Sequence, residues 1–456
     1  MKVQIAQGLT LDIPFLFGPD WAVTETEVQG AAVEIRRAAK ELADIRTSGV
    51  GSCGERVRFS YLPYLLEEHS LLTNSERVRW ETLQSWQGEI DAVVSVGIGG
   101  SYLGNKVLWD ALRRKTDQSA RPSVYFAGHT ADPEALSAVL TQLKKEAAKK
   151  EGKYTVAVLV ISKSGTTIEP LAVLSVLQKE LPRIAKDVRY IGITGQSNNL
   201  LHRMCHEKDW LHFYVPEGIG GRFSVLSEVG MVFATLCGFS APEILKGAAD
   251  VEAACQSENP KENPALFLAL LKYLATKNHG ITTEITMPYS ERLRSFAQWY
   301  SQLLGESLGK KYDIEGRVVH YGRTAVSAVG TTDMHSVTQE HQEGKRNKLL
   351  QLISVERPDS DWETEIIEDG KTVRVPMSRI SRAALSANAK ALAGEERMSL
   401  VLEAKTLDAY TLGALFYFME LAMAYEGALA GVNAYDQPGV EAYKKILHED
   451  LRGAAQ

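Results

Sequence analysis

Between residues 91 and 238, short β-branched apolar runs alternate with stretches whose apolar positions return every three to four residues. The runs DAVVSVG, VYFAG, TVAVLVIS, YIGITG and HFYVP predict strands, and YLGNKVLWDAL, PEALSAVLTQLKKEA and EPLAVLSVLQKEL predict helices. Strands alternating with helices predict a parallel sheet covered on both faces. The rhythm weakens near Ser257, where QSENPKENP reads as a boundary loop before the helix ALFLALLKYLATKNHG. It then resumes with ITTEITM, TAVSAVG, LLQLISVE and SLVLEA as strands, and with helices over 407–430 and 439–451. The polar piece RPDSDWETEIIEDGKTVRV predicts a hairpin or a long surface loop. The first ninety residues show helical periods and no clear strand. The expected division is a helix-rich extension over 1–90 packing on the core, α/β domains over 91–256 and 257–432, and a closing C-terminal helix over 433–456.

Composition narrows the function classes. A chain of 456 residues, 45% hydrophobic and 24% charged, is long and apolar enough for a sizeable core. A formal net charge of −6 gives no field for gathering nucleic acid, so an anionic ligand must be held by a local pocket. Cys53, Cys205, Cys237 and Cys255 are too sparse and irregular for a disulfide framework or a paired-cysteine zinc site, and read as reduced thiols. MKVQIAQGLTLDIPFLF lacks the pattern of a secretory leader, which predicts a cytoplasmic protein. TLGALFYFMELAMAYEGALAGV carries Glu420 and Glu426, costly in lipid, so a long core helix is expected there and no membrane span.

Three strand-to-helix turns carry candidate chemistry. In VVSVGIGGSYLG, residues 93–104, glycines remove Cβ atoms where backbone N–H groups open a helix, a place that suits a phosphate. A dinucleotide fingerprint fails because Tyr102 stands at the third glycine position, and a nucleotide P-loop fails because Asn105 and Lys106 follow Gly104 in the wrong places. A ligand-free tight turn is the alternative. VLVISKSGTTIEP, residues 158–170, gathers Ser162, Lys163, Ser164, Thr166 and Thr167 before a helix. Thr166 and Glu169 match a capping box with Pro170 in the first turn, but one cap needs one hydroxyl, and the surplus suits phosphate oxygens. YVPEGIGGRFSVLSEVG places Arg222 after a glycine pair, before a helix that Ser224 could cap; Arg222 is a candidate electrostatic stabiliser.

The acid and base candidates are less distinctive. In SERLRSFAQWYSQLLGESLGKKYD an apolar stripe from Leu293 to Leu304 stops at Gly305, leaving Glu306 just past the stop, a surface position by default. Gln302 would share a face with Glu306 if the helix ran on. His335, in VGTTDMHSVTQEHQEGK, opens a helix and reads as an acid–base group or as a solvated helix start. In YDQPGVEAYKKILHEDL, Lys444 falls on the inward side of the stripe Val440, Tyr443 and Leu447, where it reads as a snorkelling or a site lysine. His202 and His206 are spaced i, i+4 but lack the glutamate of a zinc-protease helix, so no metal is expected.

Six of these motifs, VGIGGSYLG, ISKSGTTIEP, GIGGRFS, LLGESLGK, TTDMHS and YDQPGVEAYK, resemble in this order the signatures of the glucose-6-phosphate isomerase family in its shorter bacterial form, over about residues 91–448. The resemblance implies two doubly wound, flavodoxin-like sugar-isomerase (SIS) domains and a homodimer. It implies reversible conversion of glucose 6-phosphate to fructose 6-phosphate, in glycolysis and gluconeogenesis, through ring opening and an enediolate, without cofactor or metal. It would place the phosphate on Ser162, Lys163, Ser164 and Thr167, with Gly100 and Ser101 beside it. Gly221, Gln302 and Gln437 would meet the sugar. Glu306 would be the base between C1 and C2, with Arg222 steadying the enediolate. His335, donated from the partner subunit, and Lys444 would open the ring. Ser164 and Pro438 depart from the threonine and tryptophan common in relatives, and both keep the needed chemistry. A noncatalytic sugar-phosphate sensor on the same domains, which could dispense with Glu306 and His335, and an isomerase of another phosphosugar are the alternatives.

Overall fold

A computed structural model describes residues 1–65, 74–113 and 122–453. The first fifteen residues form strands β1 (Lys2–Ala6) and β2 (Leu9–Phe15), where no strand was expected. Period-two burial of Leu9, Leu11 and Ile13 makes β2 a half-buried strand, and Gly8 at φ 75° turns the hairpin.

The first run of α/β pattern becomes β3 (Ala92–Val96), β4 (Ser123–Ala127), β5 (Thr155–Ser162), β6 (Asp187–Thr194) and β7 (Leu211–Tyr214). They form one parallel sheet in the order β4-β3-β5-β6-β7. Every residue of β3 and β5 is buried, as central strands covered on both faces must be. The second run supplies β8 (Thr283–Pro288), a small hairpin of β9 (Lys310–Tyr312) and β10 (Val318–Tyr321), then β11 (Thr324–Ser327) and β12 (Lys348–Val355). The polar piece is a hairpin, β13 (Glu363–Glu368) and β14 (Lys371–Pro376), and β15 (Ser399–Ala404) completes the set. The second sheet runs β1-β2-β15-β12-β8-β11; β8, β11, β12 and β15 are parallel, and β2 adds antiparallel to β15. The N-terminal hairpin thus covers what would otherwise be an open edge of that sheet.

The Ala409–Ala430 helix is buried nearly all round, which is why its sequence reads as one apolar run. A Cβ on Gly413 would lie 1.8 Å from the Ile244 carbonyl oxygen, so this glycine lets the helix touch the backbone of the Ala241–Ala254 helix. Its two acids have opposite fates. Glu426 pairs with Arg323, whereas Glu420 is fully buried with neither carboxyl oxygen bonded, and burial pushes it well above the carboxylate range. Among the described residues no helix is long and apolar enough to cross a membrane.

The Arg294–Leu308 helix is anchored from behind by a buried polar network. The Tyr300 hydroxyl donates to Glu284 at 2.7 Å, Lys272 donates to Tyr300 and Gln351 at 2.8 Å each, and Arg323 joins Glu284 at 2.9 Å and Glu426 at 2.8 Å. Two cations balance two carboxylates where solvent is absent. Burial alone would raise Glu284, but Lys272 and Arg323 outweigh it and hold the carboxyl at about 2.

Candidate active site

The turns after β3 and β5 lie side by side because Val96 pairs with Val160 at the carboxyl edge of the sheet. In the second of them the Ser162 and Thr167 hydroxyls are 3.0 Å apart, Ser164 is 3.3 Å from Thr167, and the Gly165 N–H donates to Ser162 at 3.1 Å. The following helix starts at Ile168 with Thr167 at its N-cap and no side-chain cap, so the expected Thr166–Glu169 capping box is absent. The physical reason is competition: the Thr166 hydroxyl turns to Ser164 at 3.3 Å and that of Thr167 to Ser162 and Ser164, so neither caps the helix, and hydroxyls gather at a helix N-terminus without a side-chain cap, the composition of an anion cradle. The Lys163 ammonium stands apart from them. It donates to the Ile219 carbonyl at 2.7 Å, tying this loop to the turn that carries Arg222.

The glycines of the first turn have a definite steric purpose. A Cβ on Gly100 would sit 1.9 Å from the Gly221 carbonyl oxygen, and one on Gly99, at φ 57°, would press on the Gln302 amide at 3.1 Å. Bare backbone here lets the 97–101 turn, with Ser101 in the first turn of its helix, close against both the Arg222 turn and the Gln302 side chain. Ser224 does not cap the next helix: it donates back to Gly221 at 2.7 Å, and Ser227 caps through the Val229 N–H.

Glu306 also differs from expectation. The Arg294–Leu308 helix continues through Gly305, because tertiary packing of the stripe outweighs the weak helix preference of one glycine, so Glu306 sits in its last full turn. Gln302 is one turn earlier and donates to Glu306 Oε1 at 2.9 Å; its own Oε1 is buried without a partner. Arg222, 0% exposed, faces the other carboxylate oxygen, with Nη1 3.2 Å from Oε2, while the Glu306 side chain keeps 26% exposure. The five N–H donors of Arg222 meet five acceptors: Nε donates to Ser307 Oγ at 2.8 Å, Nη1 to Glu306 and Gln437 Oε1, and Nη2 to the carbonyls of Ala434 and, at 3.1 Å, Asp436. Burial pulls the guanidinium below its usual range, and the Glu306 charge opposes that pull.

Two expected residues stay outside this constellation. His335 is the second residue of the Met334–Glu343 helix and is exposed. Lys444 pairs with Glu441 at 2.8 Å on the Glu441–Gly453 helix, whose expected inward stripe is not inward: Tyr443 is 57% exposed. Val440 and Leu447 are only partly buried, and Ile446 and Leu451 are exposed. Neither residue bonds to Glu306, Arg222 or the hydroxyl loop. The His202 and His206 rings lie tilted, 4.5 Å apart, and His202 meets the Tyr214 hydroxyl at 3.3 Å; among the described residues no group of three or more His, Cys, Asp or Glu is placed to hold a metal ion. Residues the sequence did not single out are Ser307, Lys310 and Asp436. Lys310 donates to the Glu306 carbonyl at 2.9 Å and to Asp436 Oδ1 at 2.8 Å. Only the adjacency of Ser307 and Lys310 to Glu306, and of Asp436 to Gln437, could have flagged them.

Known proteins resemble this chain in both sequence and fold. A family model described as phosphoglucose isomerase matches residues 71–453. The glucose-6-phosphate isomerase of Lacticaseibacillus casei is 35% identical over 376 residues, covering 79% of this chain and 80% of its own. That of Carboxydothermus hydrogenoformans is 31% identical over 442 residues, covering 93% of this chain and 90% of its own. In fold, the chain resembles a crystal structure of a glucose-6-phosphate isomerase from Chlamydia trachomatis, with a TM-score of 0.79 at 23% identity over 100% of this chain and 90% of that one. The chain belongs to the phosphoglucose isomerase family.

Proposed function

We propose that this chain interconverts glucose 6-phosphate and fructose 6-phosphate with Glu306 as the proton-transferring base. The activity is an aldose–ketose isomerisation, the reaction of its family. The observation that carries the residue assignment is the carboxylate of Glu306 held between a buried arginine and Gln302, beside glycine turns at a sheet edge.

The substrate phosphate docks on Ser162, Ser164, Thr167 and the main-chain N–H groups of this loop, including that of Lys163, with Gly100 and Ser101 alongside. This anchors the far end of the sugar and orients its reacting carbons. The Gln302 Oε1 without a partner and the amide of Gln437 meet sugar hydroxyls over Gly221. Once the ring is open, Glu306 removes the C2 proton as the C1 carbonyl becomes the enediolate oxygen; the same carboxyl then returns the proton to C1 while the O2 proton passes to O1, leaving the C2 carbonyl of the ketose. Both electrons stay within the substrate, so the reaction balances without a redox partner. Arg222 has every N–H engaged before substrate arrives. As Glu306 takes the proton it loses its charge, and the Nη1 donor now 3.2 Å from it can turn to the developing oxyanion.

Ring opening falls to His335 and Lys444, with His335 reaching the site from a second copy in a homodimer. Exposed apolar residues on the β9–β11 side, Tyr312, Ile314, Val318, Val319 and Val326, and Trp362 and Ile367 near and on the β13–β14 hairpin support a covering partner. The cytoplasm is the proposed compartment, consistent with four free cysteines.

A panel of phosphosugars assayed in chelator tests this reading: glucose 6-phosphate and fructose 6-phosphate should interconvert, and Glu306→Gln should abolish turnover while sparing phosphosugar binding. A Glu306→Gln enzyme of near-normal rate removes Glu306 from the mechanism. Binding without turnover by the unaltered protein would favour a sensor.

A further inference from the structure

We infer that Lys310 is a positioning residue for the isomerisation, clamping the helix end that carries Glu306 to the C-terminal segment that carries Gln437. The inference rests on the assignment of Glu306 and Arg222 above. Lys310 lies four residues beyond Glu306 and is only 6% exposed. Its ammonium has three N–H donors, and three acceptors surround it: the Glu306 carbonyl at 2.9 Å, the Asp436 carbonyl, and Asp436 Oδ1 at 2.8 Å. Burial lowers the ammonium, and its bond to Asp436 opposes that shift.

Each acceptor has a structural meaning. The Glu306 carbonyl is among the last of the Arg294–Leu308 helix, where intrahelical donors run out; the C-cap Gly309 N–H bonds to the preceding carbonyl, that of Gly305, so Lys310 supplies from its side chain what the helix cannot. The Asp436 carbonyl is shared with Arg222 Nη2 at 3.1 Å, so a lysine and an arginine grip one peptide group from two directions. That peptide immediately precedes Gln437, whose side chain Arg222 also holds. Lys310 therefore fixes, at a single point, the turn bearing the base and the segment bearing a sugar contact. The hydroxyl loop at 162–167 makes no bond to Lys310. Its loss should disturb the chemical step and leave anchoring of the phosphate alone.

Lys310→Met should lower kcat about 10- to 100-fold, with KM for fructose 6-phosphate changed less than about threefold, since misplacement near 1 Å costs up to about 100-fold. Asp436→Asn keeps the carbonyl acceptor and alters a side chain that is 51% exposed, so its kcat should fall by only about three- to tenfold. Because both act through one clamp, the double variant should be no slower than Lys310→Met alone, and Lys310→Arg should recover most of the rate. A kcat within twofold of the parent for Lys310→Met, or losses that multiply in the double variant, overturns the inference. If Lys310→Met does not fold, Asp436→Asn decides: lower kcat at unchanged KM supports the clamp, and unchanged kcat refutes it. Glu306→Gln run in parallel separates the two claims. If Glu306→Gln is inactive and Lys310→Met is normal, only the clamp fails; an active Glu306→Gln removes the reading beneath it.

Discussion

Replacing Gly100 by alanine is the cleanest test of how the turns build the site, because the perturbation is one methyl group of known position. The added Cβ would stand 1.9 Å from the Gly221 carbonyl oxygen and 2.2 Å from its carbon, both backbone atoms that no rotamer change can move. To reach even a 3.0 Å contact the two turns must separate by about 1.1 Å, at an overpacking cost of about 1–3 kcal/mol. Gly221 is the residue before Arg222, so the displacement passes directly to the guanidinium that faces Glu306. A shift of this size near the reacting atoms should lower kcat/KM by about 100-fold. The assay couples glucose 6-phosphate formation from fructose 6-phosphate to a dehydrogenase, with urea denaturation on the same samples. Gly305→Ala is the control: it lies next to Glu306, but its Cβ meets nothing within 4 Å, and alanine within a helix should stabilise by about 0.5–1 kcal/mol. A Gly100→Ala enzyme within twofold of the parent would refute the argument that close backbone approach sets the site.

Arg222→Lys keeps the charge but offers three donors to five acceptors, so kcat should fall by about 10²–10³ at a nearly constant substrate affinity; an unchanged kcat would mean that charge alone suffices. Glu420→Met removes a buried carboxyl without partners at similar volume and should raise stability in urea by about 1–3 kcal/mol, whereas a loss would reveal an unrecognised partner. Burial, reinforced by Glu55 and Asp44, raises Glu41 from 4.5 to about 7. The unfolded chain therefore releases this proton first as pH rises, so the stability Glu41 lends is whole below 4.5 and lost through about 7, up to about 3 kcal/mol. Glu41→Gln should be more stable than the parent at pH 8 by up to that amount and close to it at pH 4.5; equal stability at pH 8 would contradict the shift.

Much of the frame is legible in the sequence because its signals are local. Runs such as TVAVLVIS are buried on both faces and end at glycine- or hydroxyl-rich turns, so period and punctuation agree. The N-terminal strands carry a readable alternation, Leu9, Leu11, Ile13, but their partner strand in the sheet lies about 390 residues away, and the neighbouring helices dominate the local pattern. Thr166 reads as a cap because capping rules see spacing and not the Ser164 hydroxyl to which Thr166 turns, one residue before the actual N-cap. The side-chain direction of Lys163 and the Lys310–Asp436 clamp are tertiary facts, the latter joining positions 126 residues apart. His335 and Lys444 mark a different limit, since within one chain neither bonds to Glu306, and for His335 the proposed second copy is what would complete the site.

The most direct measurement follows the hydrogen itself. Glucose 6-phosphate deuterated at C2 is converted in ordinary water, and the fructose 6-phosphate formed early in the reaction is examined for label at C1. A carboxylate carrying the proton should deliver part of the deuterium to C1 and lose the rest to solvent, and Glu306→Gln should stop both. Complete retention of the label, with transfer undiminished in Glu306→Gln, would contradict a base at this position.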